Sequence, residues 1–306
     1  MRNNCRSMLA ATIFFAAASW AQNLPEVPDG AQALSLTGQP LYAAAPAQGA
    51  LGRLATARAD YDSDPSDADN IIWYGRRTAY TGDYRGAIEI FSEGIETHPL
   101  DARMYRHRGH RYVSIREFDR AIQDLEQAAE LIEGTDNEVE PDGLPNALNI
   151  PVSSLHGNIW YHLGLAYYLK QDWDNAYRAY KNGFDSGRND DRVSTTHWLY
   201  MILQRKGDPE AAAEVLDVIT ADMNVIENMS YHNLCLFYKG ELTLAELIGD
   251  NEDSPAGAAI MYGASNWHYY MDDLPKAKEM LEQMLATDGW SAFGVVAAEA
   301  DLAVDK

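Results

Sequence analysis

Trp160-Tyr161-His162-Leu163-Gly164-Leu165-Ala166-Tyr167 is the stretch on which the fold turns. Its large, small and aromatic positions recur upstream: Tyr105 stands ahead of Gly109 as Trp160 stands ahead of Gly164, and Gly75 lies 34 residues before Gly109. After each glycine comes a second set, Ala87 and Phe91, then Ala121 and Leu125, then Ala176 and Tyr180. Such a period predicts stacked helical hairpins, because a unit of that length has an apolar face it can bury only against its neighbour. Glycine and alanine at the two crossing points let paired helices approach closely, and the aromatics fill the remaining volume.

Working outward, the first unit starts at Ala68 and carries Ile71, Trp73, Tyr74 and Gly75 on one helix. It turns at Thr81-Gly82-Asp83, carries Ala87, Ile88, Phe91 and Ile95 on the next, and is closed by His98-Pro99, since proline cannot continue a helix. The second, from Ala102, gives Tyr105, Gly109, Tyr112, Ala121, Leu125 and Ala128; the third, from Gly157, gives Trp160, Leu163, Gly164, Tyr167, Ala176, Tyr180 and Gly183. These residues resemble the tetratricopeptide repeat, whose pattern is matched most fully by Trp160-x-x-Leu163-Gly164-x-x-Tyr167. The resemblance covers roughly a third of the chain and implies an all-α, right-handed α-solenoid. Later units are looser: Leu199, Leu203, Ala212 and Leu216 mark a fourth, Leu236, Gly240 and Ala245 a fifth, and His268, Ala277 and Leu281 a sixth. The second-helix alanines Ala176, Ala212, Ala245 and Ala277 are 36, 33 and 32 apart. About six hairpins are therefore expected, with Ser291 to Val304 as a C-terminal capping helix over the exposed end of the stack. Gly109 and Gly164 are 55 apart, one repeat plus 21, so an acidic, non-helical insert is placed at 136–156. An insert of this kind is either functional or a solvated loop.

At the N-terminus, Arg2 and Arg6, the 13-residue apolar run Met8 to Trp20, and Ser19-Trp20-Ala21 form the pattern of a secretory signal peptide spanning 1–21. The expectation is export to a periplasmic or extracellular space, with no integral membrane segment in the mature chain. Cys5 precedes the apolar run, where a lipid-anchoring cysteine would have to follow it. Residues 22–66 read as an extended lead-in rich in Ala, Pro, Gly and Gln, with one short helix over Leu51 to Tyr61, and 67–306 as the solenoid. Cleavage after Ala21 leaves Cys235 as the single cysteine, in the apolar setting Leu234-Cys235-Leu236-Phe237, where a buried inert thiol is expected. The formal charge of −22, or −24 without Arg2 and Arg6, argues against nucleic acid as a partner.

The sequence carries no serine elbow, zinc-binding His-Glu-x-x-His, phosphate loop or CxxC pair, and no cofactor is expected. His107 and His110 sit three apart on a helix, but Arg106, Arg108 and Arg111 around them would repel a metal ion. The stronger signal is a reversal of charge: Arg76 to Arg120 holds nine arginines against seven acids. In the resembled fold the first helix of each hairpin lines the concave face. By that resemblance Arg76 and Tyr80, Arg103, Arg106 and His110, Asn158, Tyr161 and Tyr168, and His197, Met201 and Arg205 line one trough. Guanidinium forks suit carboxylate or phosphate oxygens and tyrosines supply stacking area, so the trough is expected to take an acidic peptide segment or a small anionic ligand, with a protein or peptide partner favoured. Three alternatives stand beside it: arginines paired to neighbouring acids, the acidic insert lying in the trough as an internal plug, and an enzyme acting on carbohydrate or peptidoglycan. The distance from the groove histidines to Glu138, Glu140 and Asp142 separates the last from the rest. Trp160-Tyr161-His162, His197-Trp198 and Trp267-His268-Tyr269-Tyr270 read either as a second trough lining or as inter-repeat core. Oligomeric state leaves no mark in the sequence.

Overall fold

The computed structural model describes residues 24–141, 143–249 and 255–304; the expected signal segment and Asp142 lie outside them. Among the described residues the chain is a stack of six helical hairpins. A lone helix, α1 (Gln48–Ser63), precedes α2 (Ala68–Ala79) with α3 (Tyr84–Thr97), α4 (Ala102–Ser114) with α5 (Phe118–Leu131), and α6 (Leu155–Leu169) with α7 (Trp173–Ser186). The looser half follows as α8 (Asn189–Arg205) with α9 (Pro209–Glu214), α10 (Met229–Tyr238) with α11 (Leu244–Ile248), α12 (Pro255–Tyr270) with α13 (Leu274–Leu285), and finally α14 (Phe293–Val304). Aspartates open many of these helices: Asp67, Asp83, Asp172, Asp208 and Asp273 each accept a backbone N–H of the first turn of the helix that follows.

The crossings fall where the 34-residue spacing puts them. A Cβ on Gly75 would meet Phe91 Cε1 at 2.5 Å, one on Gly109 would meet Leu125 Cγ at 2.7 Å, and one on Gly164 would meet the Tyr180 ring at 2.7 Å. Ala87, Ala121, Ala176 and Ala212 are fully buried in the partner helices. The fifth unit departs from this register, because α11 is only five residues long: Ala245 is exposed and Leu247 carries the contact to the core.

The turn inside every hairpin holds one residue in the left-handed region. They are Gly82 (φ 87°), Arg116 (68°), Gln171 (58°), Gly207 (76°), Gly240 (77°) and Asp272 (60°). Their spacings, 34, 55, 36, 33 and 32, reproduce the drift of the alanines. Gly240 thus marks the fifth turn rather than a helix crossing.

The lead-in is more structured than the sequence suggests. Ala31–Leu34 (β1) pairs antiparallel with Pro40–Tyr42 (β2), and α1 extends beyond Leu51–Tyr61 at both ends. The hairpin is anchored by side chains distant in sequence: Gln32 Oε1 accepts from the backbone N–H groups of Tyr84 and Arg85, and Ala33 is buried in the main core. Pro and Gly are common in this tract, so local pattern gave no strand signal; the pairing is imposed by what it packs on.

Helix α14 also does more than cap. It packs on α12 and α13 as expected, then continues along the first helices of earlier hairpins, where Phe293 meets the rings of His110, His162 and Tyr161. Leu36 N–H and the Arg116 guanidinium both bond Glu299, and Trp290 Nε1 donates to the Tyr42 carbonyl at 2.7 Å. The last helix therefore touches the β-hairpin and the second unit, and the concave side is enclosed by the chain itself.

Candidate functional site

The trough is built by α2, α4 and α6 on one side, by the 132–154 connection across its mouth, and by α14 along its floor. The two ends of the connection pair with one another, Glu140 N–H to Ser153 carbonyl at 3.1 Å and Leu155 N–H to Glu138 carbonyl at 2.9 Å. Ser154 caps α6, so Leu155 and His156 belong to that helix and the insert ends just before them. Between these ends the segment runs over the arginines. Arg76 donates to the Pro141 carbonyl at 2.9 Å, Arg77 to the Gly143 carbonyl at 2.6 Å, and Arg106 pairs with the Glu140 carboxylate at 2.9 Å. Asn158 donates to the same carboxylate oxygen, Glu140 Oε2, that Arg106 engages, and Gly143 lies so close to the Tyr80 hydroxyl that a Cβ there would overlap it. Thus Arg76, Tyr80, Arg106 and Asn158 are brought together, as the repeat register implies, and the acidic insert occupies the place they make.

The remaining trough residues are placed differently. Arg103 is held by Asp101 and Asp69, both at 2.6 Å, at the outer edge of α4. Arg205 donates to Asn266 and, at 2.5 Å, to Asp301 of α14. Tyr161 and His197 are not trough surface but part of the inter-repeat core: Tyr161 shares hydroxyl bonds with Tyr231 and the Trp198 indole, and His197 is buried, with Tyr238 Oη 3.2 Å from its Nδ1. Burial pushes His197 down to about 3, so it stays neutral. Trp198 stacks on Tyr180 at 5.7 Å and meets Tyr168 edge-on at 4.8 Å, which settles the Trp-His neighbours around it as core. Tyr168 and Met201 are buried for the same reason. Their partners on the next hairpin are aromatic, and an aromatic ladder hides any residue flanked by it whatever its nominal register.

His107, His110 and His162 lie together behind the insert, with His110 and His162 at a ring separation of 4.1 Å. All three are held well below the usual imidazole range, first by burial and then by the Arg106 and Arg111 guanidiniums. His107 Nε2 is 3.8 Å from Glu140 Oε1, a histidine–carboxylate approach longer than a direct hydrogen bond. Both side chains are more than nine-tenths buried, and Glu140 is already engaged by Arg106 and Asn158. Cys235 is buried, its thiol pushed up by desolvation, and is not a nucleophile.

Several residues of the trough carried no signal in the repeat pattern. Phe293, Glu299 and Asp301 come from α14; the two acids within the otherwise apolar Phe293–Val304 are the one sequence feature that marks them as partners of buried cations. His162 and Arg111 fall on α6 and α4 positions that the groove assignment passes over.

No family model matches the chain. BBSome complex member BBS4 of Bos taurus is 26% identical over 140 residues, 45% of this chain and 23% of that protein, so the match spans less than a quarter of the relative's length. Among solved structures, MamA from Desulfovibrio magneticus RS-1 is 18% identical with a TM-score of 0.43, over 55% of this chain and 82% of that one. YrrB, described as a TPR protein with an unusual peptide-binding site, is 16% identical with a TM-score of 0.42, over 80% of this chain and 97% of its own.

Proposed function

We propose that the protein is a non-catalytic recognition scaffold whose concave trough takes an extended acidic segment of a protein partner, and that Glu140, Pro141 and Gly143 of the insert hold that place when no partner is bound. The observation that carries this reading is the set of contacts to the insert. A guanidinium pairs with its one buried carboxylate, two more take main-chain carbonyls, and an asparagine completes the carboxylate. Main-chain recognition of an extended strand combined with one charged anchor is how a groove reads a peptide rather than a small metabolite. Export to a periplasmic or extracellular space belongs to the same proposal, supported by the Arg2 to Ala21 pattern. Intact-mass measurement of native material checks it: a chain retaining Met1 removes that part.

The enzyme reading keeps one supporting observation, the His107–Glu140 contact, but both groups are already engaged, His107 Nδ1 by the Arg106 guanidinium at 2.6 Å and Glu140 by Arg106 and Asn158.

The test is an excision. Val139 and Ser154 are bridged, so replacing 140–153 by Gly-Gly leaves a two-residue hairpin turn between paired residues and opens the trough. A synthetic peptide of sequence Glu-Val-Glu-Pro-Asp-Gly, matching 138–143, is then titrated against the excised and the full-length protein. The excised protein should bind it, less tightly as salt is added, and the full-length protein should bind it much more weakly. A folded excised protein that ignores the peptide removes the recognition reading.

A further inference from the structure

The nine arginines between Arg76 and Arg120 can be followed to their partners one by one. Arg76, Arg77 and Arg85 donate to main-chain carbonyls of Pro141, Gly143 and Pro25. Arg103, Arg106, Arg108, Arg116 and Arg120 pair with Asp101, Glu140, Asp124, Glu299 and Glu117. Among the described residues Arg111 is the exception. The residue is 9% exposed, yet its guanidinium has no hydrogen bond and no carboxylate within ion-pair distance; it lies over the Tyr84 ring, 5.3 Å from the ring centre.

A cation drawn largely out of water without a paired charge is costly. Here the surroundings make it worse. The charged groups that bear on Arg111 are Arg106 and Arg76, both positive, and the nearby phenols are those of Tyr80 and Tyr84. The guanidinium is depressed to about 10, first by burial. The trough acid Glu140 is spent on Arg106 and Asn158, and Glu299 on Arg116 and the Leu36 N–H. Arg106 adds a second unmet donor, since its buried Nε has no partner. So within a chain of formal charge −22 the fold has gathered the guanidiniums of Arg76, Arg106 and Arg111 within electrostatic reach of one another, beside the phenols of Tyr80 and Tyr84.

We propose that Arg111, with Arg106 and the hydroxyls of Tyr80 and Tyr84, forms a binding site for one small oxyanion, phosphate-sized or smaller, enclosed behind the insert. Arginine is the side chain suited to this, because its planar fork of donors matches a phosphate or carboxylate edge, and the phenols supply O–H donors from the adjoining hairpin. The near-complete burial of Arg111 limits the occupant to a single group of that size. The site stands apart from the peptide reading: it needs neither removal of the insert nor an acidic partner.

The test uses the full chain and two probes, inorganic phosphate and acetate, each compared with sodium chloride at equal ionic strength. Wild-type protein should show a saturable rise of the melting temperature with one of the probes, about 3 °C at roughly tenfold excess over Kd. Phosphate alone assigns a tetrahedral anion; acetate as well assigns any small carboxylate. Arg111→Met should lose the rise. In chloride it should melt no lower than wild type, because it removes an unmatched charge instead of breaking a pair. A wild type that responds to both probes only as it does to chloride overturns the proposal, as does an equal rise in Arg111→Met. Should that variant fail to fold, calorimetric titration of phosphate and acetate into wild type decides the matter, and absence of a saturable heat with both overturns the site.

Discussion

Gly164→Ala and Gly52→Ala place the same methyl group in two helices with opposite consequences. Each substitution removes the backbone freedom of glycine from a helix interior, which favours the folded state by roughly 1 kcal/mol. At Gly52, in α1, nothing lies within 4 Å of the new Cβ, so the gain stands. At Gly164 the Cβ would sit 2.7 Å from Tyr180 Cδ2 and 2.9 Å from its Cγ, the root of the ring rather than a flexible end. Tyr180 cannot retreat, because it is fully buried and stacked on Trp198 with planes only 4° apart. Overpacking of this kind costs about 1–3 kcal/mol, which cancels or exceeds the gain. Scanning calorimetry should place Gly52→Ala about 2 °C above wild type and Gly164→Ala level with it or up to about 4 °C below. If Gly164→Ala rises as far as Gly52→Ala, Tyr180 is not wedged and the crossing geometry is wrong.

The left-handed turn residues give a second contrast: Gln171→Gly should gain up to about 1 kcal/mol by relieving its φ of 58°, while Gly207→Ala should lose about 1 kcal/mol in urea unfolding; the same sign at both sites refutes the shared turn. Glu299→Leu strands the buried Arg116 and should cost about 3–5 kcal/mol, and the double change Arg116→Met with Glu299→Leu should recover most of it; no recovery means that the ion pair is not the source of the loss. Because His107, His110, His162 and His197 are all held below their unfolded values, the unfolded state binds more protons once the pH drops under about 6.5, and stability is lost as the pH falls. Each contributes up to about 1.4 kcal/mol per pH unit, and Asp191, pushed up to about 6 by burial, works in the opposite sense. His197→Phe should flatten the melting-temperature slope on the acid side, and an unchanged slope would show that this imidazole is protonated in the folded protein.

The first three hairpins were legible because glycine, alanine and one aromatic do a purely local job at each crossing, and the job cannot be done by other residue types at that separation. The later units were blurred for a physical reason. The second helices of the fourth and fifth units are short, α9 of six residues and α11 of five, and in α11 Leu247 rather than Ala245 reaches the core, so the hairpin repeats while its marker residues do not. The trough was half legible. Register placed Arg76, Tyr80, Arg106 and Asn158 together, because those side chains project from successive first helices. It failed for Arg205, His197 and Tyr161, whose surroundings depend on α14 and on aromatics of the next hairpin, contacts separated by up to 132 residues. No local pattern records which distant segment will come to lie on a helix face.

The contact of Trp290 and Glu299 with the β-hairpin bears on how such a chain can change over generations. An open array of hairpins lengthens by duplicating a unit, since the new copy needs only its two neighbours. Here an added hairpin would carry Glu299 away from Arg116 and Leu36, and Trp290 away from Tyr42, leaving buried charge at the junction. The number of units is thereby fixed, and each holds a position that no other can take. Under that constraint the copies have no reason to stay alike, which accounts for a five-residue α11 and an α9 that ends in a 3₁₀ turn beside the closely matched α6 and α7.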